Sequence, residues 1–313
     1  MFRMQLIATY YSTKHSKLKE HWQRNAILQV EGIRGTKVPI GKDTDLGGLL
    51  LKMDWKEKRI LDSKELYRPS GFDFNDGRIF VASIRDNEII VLDDKLEIVG
   101  RITNSLFSDI HSLHLTRRGI LVASTGLDLV LEVDFNGHTL WMWWATDHGY
   151  DKDQLGNRRS IDKGRDHKKM DYPTLLQTTH LNSALYTDAT ETSLFVSMFH
   201  QGMIIEIDKQ KLVHRIILDH LRNPHSVYRL GGDSYLASDT NNGRILVFNR
   251  QGIIRQTTGD FNWIQDTIRT SRGTYIVADA NNHRILEINE NGVVIDHFEY
   301  SPELKIYQIK ELK

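Results

Sequence analysis

Gln177-Thr-Thr-His-Leu-Asn-Ser-Ala-Leu185, followed after a polar break by Ser193-Leu-Phe-Val-Ser-Met-Phe-His-Gln-Gly-Met-Ile-Ile-Glu-Ile-Asp208, is one unit of an internal repeat. The unit opens on a polar residue, here His180, and runs through an apolar strand. It then crosses a polar loop and ends in a second apolar run closed by Asp or Asn. The equivalent closing residues along the chain are Asp54, Asp93, Asp134, Asp208, Asn249 and Asn289, spaced by 39, 41, 74, 41 and 40 residues. A period near forty with several short strands per unit marks propeller blades, whose sheets bury their faces only against neighbours. Six closing residues predict a six-bladed all-β propeller, a single domain over residues 1–313.

The one long interval contains an insertion, placed at 147–178, and a second insertion occupies 13–46. Lys17–Asn25 within the second has the composition for a turn or two of helix. Met4–Ser12 matches the second strand of a blade, so the first strand of that blade is expected from the C-terminus, Leu304–Glu311. Such pairing closes the ring and removes the exposed edges of an open one.

Composition bounds the partners. Lys and Arg total 41 against 41 for Asp and Glu, so no basic field favours nucleic acid or an anionic membrane. There are no cysteines, which excludes disulfides and thiolate metal sites. With no signal-like or membrane-spanning run, a cytoplasmic protein acting on a small molecule is expected, its oligomeric state undefined by sequence.

The five recognisable inner strands begin at Pro69, Ile110, Thr179, Pro224 and Gln265, which aligns Ser70, His111, His180, His225 and Asp266 at one end of the tunnel. Three imidazoles from successive blades are a candidate site. As metal ligands, His111, His180 and His225 would hold zinc, iron or manganese and leave a coordination position open, with Asp266 as a fourth ligand or general base. Without metal, imidazoles serve as bases, nucleophiles or anion donors. His114, three residues past His111, is expected on the opposite face. The 147–178 insertion, with Arg158, Arg159, Arg165 and Tyr172, is long enough to form a lid whose arginines or Tyr172 would position an anion. Asp239-Thr-Asn-Asn-Gly-Arg and Asp279-Ala-Asn-Asn-His-Arg are turn signals whose arginines brace neighbouring blades.

Those two turns, with the apolar runs after them, resemble NHL-type propeller repeats. His180-Leu-Asn-Ser, Leu194-Phe-Val-Ser-Met-Phe-His-Gln and Trp263-Ile-Gln-Asp resemble the bacterial arylsulfotransferase family over about residues 69–290. The resemblance implies a six-bladed propeller moving a sulfuryl group between phenols without metal. It assigns active-site roles to His111, His180 and His225, with His225 the nucleophile and Asn182 a helper. The family places arginine immediately before its His-Gln pair; here Phe199 precedes His200, so the bidentate sulfate donor is missing. A more distant likeness, to the peptide-amidating lyase propeller, implies a three-histidine metal site. The expected function is therefore a metal-assisted lyase, hydrolase or isomerase, with histidine-borne group transfer or a non-catalytic binding propeller as alternatives.

Overall fold

A computed structural model describes residues 4–12, 47–170 and 172–312; the 13–46 insertion and its expected helix lie outside the described residues. Strands β1 (Gln5–Ser12), β2 (Gly48–Asp54) and β3 (Arg59–Leu66) join β24 (Leu304–Leu312) in a four-stranded sheet of order β24-β1-β2-β3. The next sheets are β4–β7 (Pro69–Asn75, Arg78–Ser83, Glu88–Leu92, Ile98–Ile102) and β8–β11 (Ile110–Leu115, Gly119–Ser124, Leu129–Asp134, Thr139–Trp144). The fourth is β12–β15 (Leu181–Tyr186, Ser193–Met198, Met203–Asp208, His214–Leu218). The ring is completed by β16–β19 (Pro224–Gly231, Ser234–Asp239, Arg244–Asn249, Gly252–Thr258) and β20–β23 (Ile264–Arg269, Tyr275–Asp279, Arg284–Ile288, Val294–Glu299). This is the six-bladed all-β propeller. The C-terminal strand pairs with β1 antiparallel from Gln5↔Leu312 to Ser12↔Leu304, as the strand count requires.

Burial follows position in the blade. Every residue of β9 is buried, because its two faces pack against adjoining sheets, whereas β7 and β23 lie at the outer edge and are mostly exposed. The apolar contacts form clusters between blades, such as the one joining Phe80 and Val91 to Leu113 and Val122. Hydroxyls tie successive blades near the tunnel. Thr9 donates to the Ser70 carbonyl at 2.7 Å, Ser70 to Ile110 at 2.6 Å, and Thr240 to Ile264 at 2.7 Å; Thr125 makes the matching bond to Leu181. Ser70, at an opening position, is thus part of the blade joinery.

Each inner strand carries a register irregularity near its start: between Pro69/Phe72, Ile110/Ser112, Leu181/Ser183, His225/Val227 and Ile264/Asp266, and in the closing blade opposite Thr9/Tyr10, where Tyr307 is the extra residue. A bulge adds a residue and re-aims side chains, so the strict two-residue alternation of a strand is lost there. One expectation changes at once. Ser112 and His114 line the same tunnel cavity as His111, because the bulge at His111 resets the alternation.

Of the two Asn-Asn turn arginines, Arg284 reaches the connection from the preceding blade, donating to the Asp260 carbonyl, whereas Arg244 stays within its own blade. Arg244 and Arg284 bond Asp239 and Asp279 of their own blades, the latter at 2.8 Å from its Nε. The aspartates face the adjoining loops, accepting from the Arg222 and Asn262 amides at 2.7 Å each.

Candidate active site

Aligning the strands by their pairings corrects the expected register. Pro69, Ile110, Leu181, Pro224, Ile264 and Ile306 are equivalent. The residues that follow them, Ser70, His111, Asn182, His225, Gln265 and Tyr307, form one ring around the tunnel. The residues that precede them, Arg68, Asp109, His180, Asn223, Trp263 and Lys305, form a second ring at the mouth. His180 therefore belongs to the outer ring, and Asn182 is the true counterpart of His111. Asp266 lies one step below its ring position, which Gln265 fills. Five of the outer-ring residues have left-handed backbones, with φ of 48° at Arg68, 51° at Asp109, 49° at His180, 56° at Asn223 and 73° at Trp263. Such conformations in residues other than glycine need support from their surroundings.

For His180 that support is Asp128. Its buried carboxylate accepts from the amides of Thr178 (2.7 Å), Thr179 (2.8 Å) and His180 (3.0 Å) and from the Thr179 hydroxyl (2.7 Å). Arg159 closes the group by pairing with Asp128 and with the Gly126 carbonyl. Burial would raise this carboxyl, but the Arg159 charge and the amides hold it below the usual range.

The three histidines do converge, although from two rings. His111 and His180 meet edge to face at 4.8 Å between ring centres, and Phe199 lies 4.9 Å from His180 and 5.3 Å from His225. Their tautomers follow from the hydrogen bonds. Thr240 gives its proton to Ile264, so it can only accept from His225 Nδ1, which also donates to the Asn223 carbonyl at 3.0 Å. Gln177 Nε2 donates to the Tyr172 carbonyl (2.7 Å) and Asp109 (3.3 Å), so its Oε1 accepts from His180 Nδ1. In both residues Nε2 is left bearing the lone pair. Burial pushes His225 down to about 3 and, with His111 adding to it, His180 well below the usual imidazole range. Both are neutral at pH 7.

His111 differs. Its Nδ1 donates to Asn182 Oδ1 at 2.8 Å, the orientation set by Asn182 Nδ2 donating to the Pro224 carbonyl at 3.4 Å. Its Nε2 faces Asp109 Oδ1 at 3.3 Å. Burial alone would raise Asp109, yet the His111 imidazole holds it well below the usual carboxylate range. His111 thus bonds Asn182 through Nδ1 and faces Asp109 through Nε2, beside two neutral imidazoles.

These placements bear on the metal expectation. Among the described residues no group of three or more His, Asp or Glu side chains is arranged to hold a metal ion. With both ring nitrogens of His111 engaged, only His180 and His225 offer a bare nitrogen, so the three imidazoles as placed do not fit a three-histidine centre.

Other expected residues have separate partners. Asp266 accepts from the Ile309 amide (2.9 Å), the Thr267 amide (2.9 Å) and the Tyr228 hydroxyl (3.0 Å), deeper in a cavity of about 500 Å³. Tyr172 donates its hydroxyl to His167 at 2.7 Å, since the other His167 nitrogen is spent on the Asp162 carbonyl. Arg158 is exposed and pairs with Asp151 at 2.8 Å, and Arg165 is exposed. His200 donates to the Thr174 carbonyl at 3.0 Å and lies 5.4 Å from His180. The insertion is anchored across the rim by His167 to Ser105 (2.7 Å) and Asn87 to Lys168 (2.9 Å). Asp109, Gln177, Asp128 and Tyr307 join the site only in the folded chain, although Asp109 stands two residues before His111 and Gln177 three before His180.

Burial raises the Asp266 carboxyl to about 6 against an unfolded value near 4. The folded protein thus holds the extra proton between about pH 4 and 6. Its contribution favours folding below that window and is lost as pH rises through it, by roughly 2–3 kcal/mol. Asp266→Asn is expected to become more stable relative to wild type from pH 4 to 7, read as the difference in melting temperature; a difference independent of pH rejects the assignment.

No family model and no curated protein matches the chain. Solved structures do. A protein of unknown function from Bacteroides caccae aligns over 100% of both chains at 11% identity and a TM-score of 0.62. The periplasmic gluconolactonase of Pseudomonas aeruginosa aligns over 87% of this chain and 82% of its own, at 12% identity and 0.54. Virginiamycin B lyase of Staphylococcus aureus aligns over 75% and 71%, at 10% identity and 0.51. At these identities the likeness is one of fold.

Proposed function

We propose that this propeller is an enzyme that transfers or hydrolyses an ester-linked group of a small molecule at the tunnel mouth, with His225 as nucleophile and His111 as acid. The observation that carries the reading is His225 itself: a buried neutral imidazole whose Nδ1–H is pinned by Asn223 and Thr240, leaving Nε2 bare. In this scheme Nε2 attacks the electrophilic centre, the ester bond to the leaving oxygen breaks, and that oxygen takes the proton on His111 Nε2. A hydroxyl acceptor, water or an alcohol, then gives its proton back to His111 and displaces the group from Nε2. Asp109, 3.3 Å from His111 Nε2, orients the imidazole, and Asn182 fixes its ring. The resemblance to arylsulfotransferases supports the same role for His225, and the lyase and gluconolactonase with this fold are compatible with small-molecule chemistry.

Turnover is expected on some member of a panel of carboxylic, phosphoric and sulfuric esters and lactones, and His225→Asn should lower it by at least about 10²-fold. Exposed His220→Asn should not. Chelators should leave the rate unchanged. Retained activity in His225→Asn, or activity that chelation abolishes and zinc, iron or manganese restores, contradicts the reading and returns the site to metal chemistry.

A further inference from the structure

We propose that Lys305, with Trp263 and Phe199, forms a substrate subsite for an oxyanion group (carboxylate, phosphate or sulfate) carried on a flat aromatic body. The proposal rests on the tunnel-mouth reading above and names the class of molecule that site would take. Lys305 stands on the closing strand at the outer-ring position equivalent to Asp109, and its Nζ lies 5.2 Å from the centre of the Trp263 ring. Trp263 is 5.7 Å from His225 and 6.2 Å from Phe199, while Phe199 is 5.3 Å from His225. The Trp263 and Phe199 rings form one aromatic wall against the His225 ring, with the Lys305 cation at its edge.

The charge of Lys305 is the informative part. Lys310, five residues on, is paired with Asp73 at 2.7 Å, but among the described residues no carboxylate forms an ion pair with Lys305. Burial disfavours its charged form and lowers its pKa. An ammonium that has lost hydration without gaining a carboxylate is stabilised by whatever anion arrives. Trp263 supplies only its ring face, its indole N–H being donated to Gln265 at 2.8 Å. Phe199 brings no donor, and the cation over the Trp263 face of the wall is Lys305. As a point charge, lysine accepts carboxylate, phosphate or sulfate with little angular preference, and shape selection falls to the aromatic wall.

The test uses benzoate, phenyl phosphate and phenyl sulfate as anionic probes, and benzamide as the uncharged one, with calorimetry and tryptophan fluorescence at pH 7. The anions should bind at least about tenfold more tightly than benzamide, and Lys305→Met should remove that advantage while leaving benzamide unchanged. His225→Asn should bind the probes within about threefold of wild type although it is inactive, so failure of the subsite and failure of the nucleophile read differently. Because Lys305 lies on the strand that closes the ring, Lys305→Gln is measured beside Lys305→Met and both are checked by melting. Wild-type salt dependence needs no variant: anion affinity should fall with ionic strength and benzamide affinity should not. Equal affinity for anions and benzamide, salt-insensitive binding, or anion binding that survives in folded Lys305→Met or Lys305→Gln overturns the proposal.

Discussion

Removal of residues 303–313 is expected to abolish cooperative folding. The deletion takes away β24, the inner strand of the first blade, and with it the fully buried Ile306 and Ile309. Core truncations of that kind cost about 2–5 kcal/mol each, so the loss approaches the whole stability of an ordinary domain. It also unmakes polar contacts: Asp266 loses the Ile309 amide, Asp73 loses Lys310, and the Phe72 amide loses Gln308 Oε1. The exposed edge of β1 should then pair between molecules. Size-exclusion chromatography and a thermal melt decide it; a monomer with an unchanged transition contradicts this account of ring closure. The same deletion removes Tyr307 and Lys305 from the tunnel mouth, so the closing strand is part of the site as well as of the scaffold.

Asp128→Ala should produce the largest loss from a single substitution. The carboxylate is fully buried and serves Thr178, Thr179, His180 and Arg159 at once. Its removal strands the Arg159 guanidinium and three amides, at a cost of about 3–5 kcal/mol, or on the order of 10 °C in melting temperature. Asp128→Asn keeps the volume but not the charge and should fall between. Since the His180 backbone is left-handed and held by this carboxylate, the His180 ring should also lose its bond to Gln177. An Asp128→Ala protein that melts within about 1 °C of wild type removes Asp128 from its assigned role.

The fold was legible because a forty-residue period survives substitution: the apolar runs and the closing Asp or Asn recur whatever the loops contain. The split first blade was legible for the same reason, since Met4–Ser12 reads as a second strand lacking a first. The site was legible only in part. That His111, His180 and His225 gather at one end of the tunnel followed from counting strands, but their relation did not. The bulge shared by all inner strands turns His114 toward the tunnel, but the offsets of His180 from Asn182 and of Asp266 from Gln265 have another source: aligning strand starts by their first polar residue does not reproduce the strand pairings. Thr240, brought to His225 from the turn after the blade's second strand, carries no sequence signal until the chain is folded, and Gln177, three residues before His180, is local but unmarked by any pattern. Arg159 shows the converse: its charge suggested an anion site, and its burial against Asp128 gives it a structural task.

The central claim is that His180 and His225 stand neutral at the tunnel mouth with the proton on Nδ1 and a lone pair on Nε2. Long-range proton–nitrogen NMR of the ¹⁵N-labelled protein, with His180→Gln and His225→Asn to assign the signals, tests it directly. Both residues should show the Nδ1–H tautomer at pH 7.5 and keep it unchanged at pH 5, where an ordinary histidine is protonated. A midpoint near 6.5 for either ring, or a proton on Nε2 at pH 7.5, contradicts it.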